Sequence, residues 1–454
     1  MTVKTASGSA LLADFVASAA PPADARARAV AAICDTIGVM LAGSPEPAAR
    51  MVQTLVTGES RGACRIAGTR ETAGATGAAL ANGVAAHALD YDDMCFVSLA
   101  HPSCALVPAI LAAAELSRAP GSVLPDAYVA GFEVECRLGR VMNPRHYHDR
   151  GWHCTSSIGT LGAAAAAARV LGLARDEVRH ALGIAASSAC GVKENIGSMV
   201  KPLHAGLAAH NGLMAALLAE RGFTASLAAL DGQQGYLAAM DSQHPALEPA
   251  TGDLGVRWEI LATGITVKLY PSCAATHPPL DALLDLKRDA AFTPDDVAAV
   301  EVDVDSMTSR LLIYDRPSTG LEAKFSMPFC AAAAVVHGRL GLDTFYAVAI
   351  QDPAIQAVMP RVSLRVNPEF DSAVPLSRAE VTVRLRDGRV LRRLAEGARG
   401  YPGRLSRDEL ALKFAACAGR ALSAEAVAAA WAALQSMDDC RDVRDLTALL
   451  TSDR

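Results

Sequence analysis

The sequence predicts a mainly α-helical protein that also contains a smaller segment of mixed α/β structure. Apolar residues recur at helical spacing through most of the chain, and abundant small residues would let such helices pack closely. No confident strand is found before about residue 262, whereas residues 263–400 include alternating patterns typical of strands. With 454 residues the chain exceeds what one hydrophobic core usually serves, so two domains are expected.

The predicted helices have apolar faces and recognisable ends. Residues 23–43 follow two prolines, place Ile33 and Ile37 on one face and end at Gly43. The helix predicted at residues 155–173 is apolar all round, which indicates burial on every side. Further helices are predicted at residues 103–117, 175–187, 203–221, 324–338, 406–419 and 423–437.

Strand patterns define the smaller segment. Residues 297–305 ("VAAVEVDVD") alternate apolar and acidic residues, as a half-buried strand does. Residues 379–397 indicate a hairpin that turns at Asp387 and Gly388. The chain then returns to helix, which is expected to pack back on the first domain. One domain is therefore placed at residues 1–262 with 401–454, and the other at residues 263–400.

Composition excludes several classes of partner. The net charge is −6, the isoelectric point is about 6.0 and no basic patch stands out, so nucleic acid is not expected. The eleven cysteines contain no CxxC pair, which favours thiols in a reducing compartment. No signal peptide or membrane-spanning segment is recognised, so a cytoplasmic protein without a membrane partner is expected.

The stretch "NGVAAHALDYDDM" (82–94) concentrates charge in an apolar region. Asp90 and Asp93 are three residues apart, so on a helix they would share a face. His101 lies just before a helix predicted to start near Ser103, where the helix dipole disfavours a charged imidazole. The alternative is a solvated turn with a capping serine.

A second polar stretch, "NPRHYHDRGWHC" (143–154), precedes the helix predicted to be buried. Its histidines match no firm zinc-ligand spacing, so no metal is expected. Tyr147 and His153 lie in this stretch, and its position before a helix suits an anionic ligand. The alternative is an exposed polar loop.

Two lysines stand in apolar surroundings. Lys201 lies at the start of a predicted helix, where its charge opposes the dipole, and His204 follows one turn later. Lys268 lies between Val267 and Leu269, and partial burial would lower its pKa, so it could anchor a carboxylate or act as a base. In each case the alternative is a lysine whose ammonium group reaches water.

The sequence has no dinucleotide fingerprint at a strand–helix turn, no Walker loop and no GxSxG elbow. Lysines, histidines, a tyrosine and paired aspartates remain as the reactive groups. They predict acid–base chemistry on a small anionic substrate without a cofactor. Lysine and histidine would neutralise an enediolate-like carbanion while paired groups move the proton.

The whole set of motifs resembles one known family, the MmgE/PrpD family of 2-methylcitrate dehydratase. The resembling segments follow the family's order and cover nearly the whole chain: "NGVAAHALDYDD", "HPS", "GWHCTSSIGTLGAAAAAARVLGL", "KPLHAGLAAHNGLMAALLAERGFT", "VKLYPSCAATHPPLDAL" and "EAKFSMPF". The resemblance implies a large all-helical domain with a smaller inserted α/β lid domain. It also implies a homodimer, an active site between the domains and no iron–sulfur cluster.

Residue by residue, the resemblance implies a candidate site. Its catalytic candidates are Asp90, Asp93, His101, Tyr147, His153 and Lys268. Its candidates for binding substrate are Lys201, His204 and Lys268. Decarboxylase-like members have threonine and tyrosine where this chain has Met94 and Phe329, and both departures count against decarboxylation.

The leading functional hypothesis is a lyase of the hydro-lyase type, similar to 2-methylcitrate dehydratase, that acts on a small di- or tricarboxylate. His101 and His153 would carry protons, and the aspartates would orient them or donate to the departing hydroxyl. An epimerase (an isomerase of an iminodisuccinate-like dicarboxylate), with Lys268 and Tyr147 as opposed bases, is the second hypothesis. A cis-aconitate-type decarboxylase is also considered, and a non-catalytic binding protein is the least favoured.

Overall fold

The computed structural model describes residues 7–59, 61–240, 242, 246–373 and 377–452. It divides into two compact units. The helical unit comprises residues up to Ala88, Asp92–Thr266 and residues from Ser406 onward. The sheet unit comprises Leu89–Tyr91 and Val267–Leu405. The expected mainly α class is confirmed.

The first part of the helical unit contains thirteen helices among the described residues. They are α1 (Gly8–Ser18), α2 (Ala23–Gly43), α3 (Pro47–Glu59), α4 (Ala75–His87), α5 (Pro102–Ser117), α6 (Val123–Met142), α7 (Arg145–His148), α8 (Cys154–Val170), α9 (Arg175–Ser188), α10 (Val200–Glu220), α11 (Tyr236–Ala239), α12 (Glu248–Thr251) and α13 (Glu259–Ala262). The sheet unit holds α14 (His277–Ala290), α15 (Ser306–Leu311), α16 (Gly320–Ala323), α17 (Met327–His337), α18 (Ala347–Ile350) and α19 (Pro353–Val358). The chain ends with α20 (Arg407–Ala418), α21 (Ala424–Gln435) and α22 (Val443–Ala448) in the helical unit.

Close helix packing explains the alanine-rich composition of the helical unit. Helix α8 is buried on nearly every side, as its apolar sequence predicts. Helices α4 and α10 meet at Gly83 and Gly206, where a Cβ on Gly83 would lie 2.7 Å from the Gly206 Cα atom. Only glycine therefore permits this approach. In the described part of the chain, no single helix is both long and apolar enough to cross a membrane, and α2 with α3 passes that test only as a pair bent by 89°.

The expectation of no strand before residue 262 is wrong in one small detail. Strands β1 (Cys64–Arg65) and β2 (Thr72–Ala73) form an antiparallel pair in which Cys64 faces Ala73. Each strand is two residues long, so no alternation of apolar and polar residues can announce it.

A four-stranded sheet with the order β4–β3–β5–β6 forms the centre of the sheet unit. Its strands are β3 (Val297–Val304), β4 (Val362–Val366), β5 (Ala379–Leu385) and β6 (Val390–Ala395). Strand β3 runs parallel to β4 and antiparallel to β5, and β5 is antiparallel to β6. The predicted hairpin is confirmed, with Gly388 in the left-handed region (φ 91°). Helices α14 and α17 pack on the sheet.

Candidate active site

The polar stretch after α4 is a turn and not a helix. Helix α4 ends at His87, and Asp90 adopts a left-handed conformation (φ 51°), which an aspartate tolerates better than most residues. The expectation that Asp90 and Asp93 share a helix face is therefore wrong. The turn instead lets neighbouring side chains of this stretch point in different directions.

Four histidines that are distant in sequence come together in the helical unit. His101 and His153 precede the first residues of α5 and α8, so the expected position of His101 before a helix is confirmed. The His87 ring lies 4.5 Å from the His101 ring and 6.1 Å from that of His153. The His153 and His204 rings are 5.2 Å apart. We call His87, His101, His153 and His204 the histidine cluster.

The hydrogen bonds of His101 define its protonation. Its Nδ1 atom lies 2.8 Å from the backbone carbonyl oxygen of Asp93. A carbonyl oxygen only accepts, so Nδ1 carries a proton and the neutral ring keeps its basic lone pair on Nε2. The His101 side chain is 14% exposed, whereas the ring of His87 is fully buried, so His101 is the more accessible of the two to a ligand.

Asp93 anchors the start of α5. Its carboxyl group accepts hydrogen bonds from the Ser103 hydroxyl and, at 3.3 Å, from the Ser103 backbone N–H. The Ser103 hydroxyl also lies 2.5 Å from the Tyr128 hydroxyl. Burial raises the pKa of Asp93 to about 8, with the charge of Asp92 adding to the effect. The carboxyl group of Asp93 thus fixes the turn whose backbone carbonyl accepts from His101, and the proposed role of Asp93 in catalysis stays a prediction.

Asp93→Asn is expected to flatten part of the pH dependence of stability. Between its ordinary pKa of 3.8 and the folded value of about 8, the folded protein keeps a proton that the unfolded chain releases. Stability therefore falls as pH rises through this window, by up to roughly 1.4 kcal/mol per pH unit for one proton. Urea unfolding of both proteins from pH 5 to 8 measures the difference, and parallel curves would contradict the assignment.

A single hydrogen bond joins the Nδ1 atoms of His153 and His204. Their Nδ1 atoms are 3.0 Å apart, so one ring donates and the other accepts, and their tautomers are opposite. Burial lowers the pKa of His204 to about 4, and burial together with the charge of Lys201 holds the pKa of His153 well below its usual range. Both rings are therefore neutral near pH 7 unless an anion binds beside them.

A glycine and a lysine complete this side of the cluster. The His153 backbone N–H donates to the carbonyl oxygen of Gly191 at 2.9 Å. Gly191 has φ 114°, and a Cβ there would lie 2.6 Å from the Ser156 Cβ atom, so the position requires glycine. Lys201 lies in the first turn of α10 and is buried. The solvated alternative for Lys201 is therefore wrong in this structure.

Tyr147 lies on the short helix α7, where it is half-buried. Its ring contacts the His148 ring edge-on, and the Lys193 ammonium group lies 4.3 Å from the centre of the Tyr147 ring. Lys193 also donates to the Tyr147 carbonyl oxygen at 3.0 Å. These described contacts of Tyr147 are with groups outside the histidine cluster. The proposed role of Tyr147 as a base remains a prediction.

The sheet unit contains a group of buried charges. Lys268 is completely buried and donates to the Asp90 carboxylate at 2.6 Å and to the Asp90 carbonyl oxygen at 3.0 Å. Lys324 is also buried and donates to the Leu89 carbonyl oxygen. Two lysines therefore hold the short segment Leu89–Tyr91 within this unit. The alternative in which the Lys268 ammonium group reaches water is wrong in this structure.

Sequence reasoning left three residues of these groups out of the predicted site: His87, Asp92 and Lys324. His87 donates from Nδ1 to both oxygens of Asp92, at 2.8 and 2.9 Å. A signal existed for each, because His87 and Asp92 belong to the polar stretch and Lys324 to the "EAKFSMPF" motif.

Three members of the histidine cluster could hold a metal ion. His87, His101 and His153 each offer a ring nitrogen, and these atoms lie within 4.8 Å of one another. Three histidines suit zinc, which prefers ligand distances of about 2.0–2.1 Å. The sequence predicts chemistry without a metal, so dialysis against a chelator is expected to leave activity unchanged. Loss of activity that zinc restores would contradict this prediction.

Comparison with known proteins identifies the family. Residues 10–248 match the MmgE/PrpD N-terminal domain, and residues 270–439 match the MmgE/PrpD C-terminal domain. Human cis-aconitate decarboxylase is 30% identical over 385 residues, covering 83% of this chain and 79% of its own. A cis-aconitate decarboxylase-like protein of Aspergillus oryzae is 28% identical, covering 95% and 94%. The cis-aconitate decarboxylase of Aspergillus terreus is 26% identical, covering 94% and 92%.

Decarboxylases are lyases, so these relatives support an enzyme of the lyase type. The two family domains together span most of the chain and follow each other in the order that the resemblance predicts. The chain belongs to the MmgE/PrpD family.

Proposed function

We propose that this chain is a cofactor-independent lyase that acts on a small di- or tricarboxylate by moving a proton at the carbon next to a carboxylate. The observation that carries the proposal is the histidine cluster, in which His101 presents a basic Nε2 atom close to other buried histidines. Lys201 supplies positive charge there although the whole chain carries −6. A polyanionic substrate matches this local charge.

In the dehydratase form of the reaction, His101 Nε2 removes the proton from the carbon next to a carboxylate. The electron pair forms the C=C bond while the neighbouring C–O bond breaks. His153, charged while the substrate anion is bound, gives the departing hydroxide its proton. Lys201 and His204 hold a carboxylate, and His153 becomes a proton carrier because the bound anion favours its charged form. The products are the unsaturated acid and one molecule of water, so the reaction needs no oxidant or reductant.

Two departures from the decarboxylase pattern favour dehydration. Phe329 carries no hydroxyl and is completely buried in the sheet unit, with its ring 5.9 Å from that of Phe345. Met94 likewise offers no hydroxyl, and its backbone N–H donates to the Thr266 carbonyl oxygen at 2.9 Å. These side chains cannot act as the tyrosine and threonine of that pattern would.

Decarboxylation is the second candidate, because the relatives described above are cis-aconitate decarboxylases or similar to one. There a C–C bond breaks, its electron pair stays on the substrate carbon, and His101 or His153 returns a proton to that carbon. The same residues would serve both reactions, so a tricarboxylate of the cis-aconitate class belongs in every substrate panel.

The proposal includes three features that the resemblance implies. They are the domain boundaries near residues 263 and 400, the action of the α/β segment as a lid, and a homodimer. The homodimer is tested by light scattering of the purified protein. A cytoplasmic location stays a prediction.

Incubation in D₂O with 2-methylcitrate, citrate, cis-aconitate and iminodisuccinate, followed by proton NMR, tests the activity. A dehydratase gives a new vinyl signal from a hydroxy acid. A decarboxylase consumes cis-aconitate and releases CO₂, and an epimerase exchanges the α-proton without net chemical change. Absence of turnover across the panel would contradict the proposal for these substrates.

A further inference from the structure

Asp92 lies between two histidines in the interior of the helical unit. Both oxygens of its completely buried carboxylate accept from His87 Nδ1, at 2.8 and 2.9 Å. One of them also lies 3.5 Å from His101 Nδ1. The rings of His87 and His101 are 4.5 Å apart, so the three side chains form one compact group.

We propose that Asp92 and His87 form a positioning dyad that holds the His101 ring in place and stabilises its charged form. The inference rests on the proposed function, because it takes His101 as the proton carrier. Neither member of the dyad needs to touch the substrate. Both act through His101 and are therefore positioning residues.

The two partners of His101 Nδ1 have different effects. The Asp93 carbonyl oxygen fixes which nitrogen carries the proton, but it carries no net charge. The Asp92 carboxylate adds a negative charge, and an opposite charge at this range raises a histidine pKa by roughly one to three units. A base with a raised pKa takes the substrate proton more readily, and it can return that proton later.

His87 holds the Asp92 carboxylate in place by hydrogen bonds that favour its charged form. A buried carboxylate without partners would take up a proton or turn away. The titratable groups near His101 include His87 at the end of α4, Asp92 and Asp93 in the turn, and His153 just before α8, while the charge of Lys201 on α10 acts on His153. Among them Lys201 opposes protonation of the cluster and Asp92 favours it.

Histidine ¹⁵N NMR of the protein without substrate tests the dyad directly. In the parent protein both His87 and His101 are expected to carry the proton on Nδ1. In Asp92→Asn the pKa of His101 is expected to fall by about one unit or more, because the nearby negative charge is gone. An unchanged His101 titration, or a His101 protonated on Nε2 in the neutral parent, would overturn the proposal.

Kinetics supply a second readout. Asp92→Asn and His87→Leu are each expected to lower kcat/KM, by less than the roughly 10²–10⁴-fold that loss of the acid–base group itself would cost. The acid limb of the pH profile is expected to move to lower pH in Asp92→Asn. His87→Asn keeps an N–H donor near the Nδ1 position and is expected to recover most of the activity lost in His87→Leu.

His180→Asn is the matched control, because His180 bonds to the backbone of Ala225 and lies outside the cluster. It is expected to change neither the rate nor the pH profile. A loss of rate in Asp92→Asn without any shift in the pH profile would overturn the proposal. The NMR titration needs no substrate, so it separates failure of the dyad from failure of the proposed reaction.

Discussion

His101→Asn is expected to lower kcat/KM by roughly 10²–10⁴-fold, the usual contribution of a general acid–base group. Asparagine can still donate to the Asp93 carbonyl oxygen, so the start of α5 keeps its hydrogen bond. It has no titratable nitrogen to take the place of His101 Nε2. Steady-state kinetics at several pH values measure the loss and show whether the acid limb disappears with it.

His210→Asn is the control for this substitution. His210 lies on α10 and its Nδ1 donates to the Thr76 carbonyl oxygen at 3.0 Å, away from the cluster. We expect His210→Asn to retain parental activity and an unchanged pH profile. Parental activity in His101→Asn, with correct folding shown by circular dichroism, would remove His101 from the mechanism.

The sequence predicts the helix starts that position the site better than it predicts the site's internal contacts. The helices predicted at residues 103 and 155 begin in the structure at Pro102 and Cys154, and they carry His101 and His153 just before them. Local signals suffice there, since the chain resumes an apolar helical pattern directly after each histidine. The buried helix α8 follows from the same pattern.

Contacts between distant residues have no such local signal. His153 and His204 are 51 residues apart, and no periodicity indicates that their Nδ1 atoms share a proton. The turn at Asp90 likewise has no local signal, because the residue types around it do not show that the Asp90 backbone adopts the left-handed conformation. The chain turns at Asp90, and Asp92, two residues later, accepts from His87.

Lys268→Met is expected to lower the free energy of unfolding by about 3–5 kcal/mol, since it leaves the buried Asp90 carboxylate without this cation. Lys268 and Asp90 are held at 2.6 Å within the sheet unit, where little water can replace the lost partner. Adding Asp90→Asn to Lys268→Met is expected to recover part of the loss, because the second substitution removes the buried charge. Urea unfolding of the parent, both single variants and the double variant measures the coupling.

Activity per folded molecule separates the structural role of Lys268 from a chemical one. Lys413 and Asp35 form a matched buried pair at 2.8 Å in the helical unit, between α20 and α2. Lys413→Met should cost similar stability yet keep the activity of each folded molecule. If Lys268 binds a substrate carboxylate, Lys268→Met loses that activity even under conditions where it is fully folded. Equal activity in the two lysine variants would make Lys268 a structural residue, and the substrate's cationic partner would then be Lys201 alone among the predicted lysines.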